Sequence, residues 1–153
     1  MNESDNMLKY ENYREQFGRL KKALASGFNL EAVFIEYAIL EDRTESILRH
    51  ADKWEAYLKS LKGRQAKLDT KIKYIQKLAE QKRSLPNRYF SGDLLDRVLE
   101  WKEDRNRLIH ALMKQQLAHG EIGEVAAQGK SLADELRKRA GNFNRAADRQ
   151  NEK

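Results

Sequence analysis

"WKEDRNRLIHALM", residues 101–113, holds two patterns at once. Leu108, Ile109 and Leu112 recur at the spacing of one helix face. Arg105, Asn106 and His110 stand beside that apolar stripe. At about 100° per residue, Asn106 and His110 lie within about 40° of each other, one turn apart. Arg105 is about 140° from His110 around the axis, but its long side chain can reach the same cleft. The segment reads as a core helix with a polar edge suited to chemistry.

The same period recurs along the chain and predicts an all-α fold, an antiparallel bundle of about five helices. The first segment, about 6 to 26, places Tyr13, Phe17, Leu20 and Leu24 on one face, and Gly27 ends it. Asn29 is the expected N-cap of the second, which runs to about His50 with Leu30, Phe34, Tyr37 and Ala38 as its stripe, extended by Leu40, Ile47 and Leu48. Trp54, Tyr57, Leu58 and Leu61 extend it after a break, and Gly63 marks a turn. The third, about 64 to 83, carries Leu68, Ile72, Ile75 and Leu78 opposite its lysines. "SLPNRYFSGD", 84 to 93, reads as a loop around Pro86 and Gly92. Asp93 or Ser91 can cap the fourth segment, about 93 to 118. "AHGEIGEVAAQG" loosens the chain before a last amphipathic helix at about 130 to 148.

Composition narrows the class. The 153 residues have the length of a single domain and are read as one, 1–153. They are 40% hydrophobic and 35% charged, with one proline and no cysteine, which favours a well-solvated helical protein. Without cysteine there is no disulfide, thiolate metal site or thiol nucleophile. The opening "MNESDNMLKY" lacks the layout of a secretion signal, and no apolar run approaches the roughly 18 residues a membrane span needs. The expectation is a cytoplasmic protein without membrane contact.

The net charge of +6 is uneven. From Lys59 to Arg88 ten basic residues face two acidic ones, enough to attract a polyanion or to serve as a solvated helix face. Glycine-rich phosphate loops, G-x-S-x-G and H-E-x-x-H are missing. His50, His110 and His119 show no metal-ligand spacing, and the acids Glu41, Asp42 and Glu45 read as solvated or paired with Arg43. No metal or cofactor is expected. An arginine, an amide and an imidazole suit phosphodiester cleavage: imidazole moves a proton near neutral pH, and guanidinium offers forked donors to phosphate oxygens.

The stretch "RNRLIH" resembles the motif of the HEPN superfamily (higher eukaryotes and prokaryotes nucleotide-binding domains). Its hallmark is an arginine, often with a polar residue directly after it, then a histidine separated from the arginine by four to six residues. The resemblance implies a small all-α bundle and a metal-independent endoribonuclease of toxin–antitoxin or phage-defence type. It also implies a homodimer in which two motifs meet, and the setting brings a possible antitoxin protein as a further partner. Arg105, Asn106 and His110 would be catalytic, with Glu41 orienting Arg105 from behind. Lys67, Lys71, Lys73 and Lys77 would hold RNA. Arg43 and His50 form a second match to the same motif. The alternative is a non-catalytic helical module that binds a nucleotide, nucleic acid or a protein.

Overall fold

The periodic segments of the sequence become helices in the computed structural model, which describes residues 3–112, 114 and 119–152. Among the described residues there are seven helices and no strand. They are α1 (Glu3–Ala25), α2 (Asn29–His50), α3 (Trp54–Ser60), α4 (Leu68–Ala79), α5 (Leu85–Phe90), α6 (Leu94–Ala111) and α7 (His119–Asn151). Five are long, and α3 and α5 are short. None is long and apolar enough to cross a membrane.

Turn chemistry sets the boundaries. Gly27 takes φ +75°, its N–H donates to Leu24 O (3.3 Å), and that of Phe28 donates to Ala23 O (2.8 Å), which stops α1. The same device ends α2, with Asp52 at φ 57° and Lys53 N–H on Leu48 O at 2.9 Å. Asn29 does not cap α2. Phe28 holds the N-cap position and Asn29 is the first helical residue.

The expected loop at 84–93 contains α5. Ser84 Oγ accepts from Asn87 N–H, and Pro86 falls in the first turn, where its missing donor costs nothing. Its carbonyl-rich approach is tied back by Asn87 Nδ2, which donates to Ala79 O at 2.7 Å. Residues 54–60 form a helix of their own, and α4 is shorter than the expected 64–83. Beyond Ala111 the expected continuation to 118 meets a turn at Leu112 and then residues outside the described set.

The glycine-rich run from 118 does not loosen the chain once α7 begins at His119. Glycine weakens a helix by about 1 kcal/mol relative to alanine, yet α7 passes through Gly120, Gly123 and Gly129 unbroken. At Gly129 the reason is packing. A Cβ there would overlap Glu36 Oε1 and lie 2.7 Å from Trp101 Cζ2. Glycine lets α7 approach α2 and α6 closely, and α7 packs most extensively on α2.

One cluster of buried side chains draws on all seven helices, from Leu20 and Ala23 through Leu40, Tyr57, Ile72, Phe90 and Trp101 to Phe143. The buried arc of α2 keeps Leu40, Ile47 and Leu48 of the stripe read in the sequence and departs from it nearer the N-terminus. Ala32, Val33, Glu36, Ile39 and Leu40 are inside, whereas Phe34 is 50% exposed and Ala38 is also exposed. Because α2 contacts α1, α3, α4 and α7, it buries a wide arc, and the acid at 36 falls within it.

Candidate active site

Arg105 lies in the second half of α6, where its half-buried side chain crosses to α2. Its guanidinium carbon sits 4.1 Å from the Tyr37 ring centroid and 5.7 Å from that of Phe34. A cation over an aromatic face gains about 0.5–2 kcal/mol, more as water is excluded. Tyr37 and Phe34 are three residues apart on α2, so one helix turn supplies the platform.

Asn106 completes the hold. Its Oδ1 accepts from Arg105 Nη1 at 3.1 Å and is the arginine's one hydrogen-bond acceptor among the described residues. Arg105 Nε is buried without a partner. A guanidinium has five donor hydrogens, so most of this group's capacity is unused. His110, one turn beyond Asn106, is exposed, and its imidazole has no hydrogen-bond or ion-pair partner among the described residues.

Glu41 stands on α2 one turn beyond Tyr37. It makes no ion pair with Arg105. Instead its main-chain carbonyl accepts from Lys71 Nζ at 3.1 Å. Lys71 is therefore buried, while Lys67, Lys73 and Lys77 are exposed. Burial draws the Lys71 ammonium below its ordinary pKa, and Glu41, Glu45 and Asp42 oppose that fall. Nearby, Lys102 reaches both Asp69 (3.3 Å) and Glu103 (3.2 Å). Burial alone would raise Asp69, but Lys102 holds it below the usual carboxylate range. The Tyr37 hydroxyl feels the whole group. Burial and then Glu41 raise its pKa, while Arg105 and Lys102 pull it down.

The second Arg/His pair is engaged differently. Arg43 binds Asp42 at 2.6 Å and covers the Tyr13 ring at 4.4 Å. His50 Nδ1 bonds Asp148 Oδ1 at 2.7 Å across to α7. Of the two matches, only Arg105 and Asn106 bond each other with a partner-free histidine one turn away. Sequence reading placed these residues but missed their platform, because Tyr37 and Phe34 sat in what read as a core stripe. Their i,i+3 spacing opposite an arginine was the available signal. Among the described residues no group of three or more His, Asp or Glu forms a candidate metal site. Comparison with family models, with curated proteins and with solved structures finds no match to this chain.

Proposed function

We propose that this protein is a metal-independent endoribonuclease of HEPN type, built on an antiparallel bundle of its five long helices. It works as a cytoplasmic homodimer in a toxin–antitoxin or phage-defence setting. The carrying observation is the Arg105 guanidinium, pinned between the Tyr37 ring and Asn106 with most of its donors unspent, on the helix that exposes His110 one turn beyond Asn106. A fixed cation with spare donors suits the charge that grows on a phosphate during transfer.

In this reading His110 takes the proton of a ribose 2′-OH. The 2′-oxygen attacks phosphorus, the P–O5′ bond breaks, and the leaving 5′-oxygen is protonated by His110 of the partner subunit. The products are a 2′,3′-cyclic phosphate and a 5′-hydroxyl, so DNA is spared. Lys67, Lys73 and Lys77 bind the strand through its phosphates, whereas Lys71 braces α2 from inside. An antitoxin protein would cover the same face.

A second reading rests on His110 itself. A general base is commonly oriented by a third group, and His110 has none among the described residues. That favours a module that binds RNA or a nucleotide without cutting it. Parent, Arg105→Ala and His110→Ala proteins, matched for helicity and dimerisation, are incubated with single-stranded RNA and chelator. The catalytic reading predicts that each variant loses about a hundredfold or more. Binding by the parent without cleavage supports the second reading, and equal cleavage by all three refutes the site. Arg43→Ala and His50→Ala as the inactive pair would move the site to the other match.

A further inference from the structure

About thirteen residues along α2 from Tyr37, hence roughly 20 Å away, the far end of the same helix borders a different cavity. It has a volume of about 420 Å³ and lies where the ends of α2 and α7 meet the α4–α5 turn. Lys53, Arg83, Arg88 and His50 line it, and no acidic residue does. Lys53, Arg83 and Arg88 are exposed and have no ion-pair partner among the described residues. Three unpaired cations around one cavity repel one another unless an anion joins them.

The cavity is built, not incidental. Arg83 adopts φ 67°, a conformation that costs a non-glycine residue about 1–2 kcal/mol. Its neighbours impose it: Ser84 N–H and Oγ both donate to Gln81 O, at 3.3 and 2.7 Å, and Ser84 Oγ also accepts from Asn87. Asn87 in turn is anchored to α4. The turn that presents Arg83 and Arg88 is thus fixed from both sides. At the opposite wall, Asp148 fixes His50 through Nδ1, which leaves Nε2 without a partner. Between these polar walls lie the half-buried side chains of Leu85 and Pro86.

The geometry points to a binding site for a nucleoside monophosphate: the cations take the phosphomonoester, and the apolar strip takes the flat face of the base. A terminal phosphate carries more charge and more free oxygens than an internal diester, which matches three cations around one cavity. The ligand is either a free nucleotide or the 5′-phosphorylated end of an RNA strand. This site does not depend on the Arg105 chemistry.

Calorimetric titration with 5′-AMP, adenosine and inorganic phosphate tests it. Saturable AMP binding is expected, with adenosine and phosphate each at least about tenfold weaker. Arg83→Ala and Arg88→Ala, both exposed substitutions, should each weaken AMP about tenfold, and Arg105→Ala should leave it unchanged. Absence of saturation up to about 10 mM AMP, AMP binding no tighter than adenosine or phosphate, or full binding by the Arg83→Ala/Arg88→Ala double variant would overturn the proposal. A short oligouridylate with and without a 5′-phosphate, titrated on the Arg105→Ala background, separates the sources. Phosphate-dependent binding tighter than AMP assigns the site to RNA ends, and a strand indifferent to its 5′-phosphate assigns it to free nucleotide.

Discussion

Replacing Glu36 with glutamine should change how the stability of this protein depends on pH. Glu36 is fully buried between α2, α6 and α7, and neither carboxyl oxygen has a hydrogen-bond partner. Burial pushes its pKa up from 4.5 to about 9, against the opposing pull of Lys130, which is itself bonded to Asp134. In the unfolded chain the carboxyl loses its proton near its ordinary value, whereas the folded protein keeps the proton until about pH 9. Between those limits the native state binds one more proton than the unfolded state, so stability falls as pH rises. The slope is about 1.4 kcal/mol per pH unit, or roughly 3 kcal/mol from pH 6 to 8. Glu36→Gln fills the same space and cannot ionise. Urea denaturation of parent and variant at pH 6, 7 and 8, at one protein concentration, isolates this group because the other titrations cancel in the difference. The variant's stability relative to the parent should rise by roughly 3 kcal/mol over that range. Parallel curves would mean instead that Glu36 is ionised and compensated in the folded state.

Three further outcomes follow from the same packing and charge. Gly129→Ala should destabilise by about 1–3 kcal/mol in denaturant melts, because the overlap with Glu36 and Trp101 outweighs the gain in helix propensity. Lys73→Ala and Lys77→Ala should each shrink the salt dependence of RNA affinity by about 0.7 in log–log slope. Lys71→Met should leave that slope alone, as filter binding across salt concentrations can show, because Lys71 points inward. Tyr37→Leu should lower the rate of RNA cleavage more than it lowers RNA affinity, since it frees Arg105 from its platform without removing the charge.

The helices were legible where apolar spacing and end signals agreed. Gly27 and the stripe of Leu68, Ile72 and Ile75 mark real boundaries and a real buried face. The first half of the α2 face was misread, because Glu36 carries no sign in the sequence that a glycine 93 residues later will pack on it, whereas Leu40, Ile47 and Leu48 read correctly as core. Gly129 looked like a breaker for the same reason: a close approach and a turn use the same residue. Ser84, Pro86 and Asn87 read as loop chemistry, and only their mutual bonds make them a helix start. At the candidate site the residue types were readable, but the ring platform was not, because Phe34 and Tyr37 look like core until the rotation of α2 is known.

As proposed, Arg105 and His110 cut RNA through its own 2′-hydroxyl. Mass spectrometry of the fragments released from a defined single-stranded RNA in the presence of chelator tests it most directly. The expected products are 5′ fragments ending in a 2′,3′-cyclic phosphate and 3′ fragments beginning with a 5′-hydroxyl, with none of either from His110→Ala. Fragments carrying a 5′-phosphate, or the same products from His110→Ala, would contradict it.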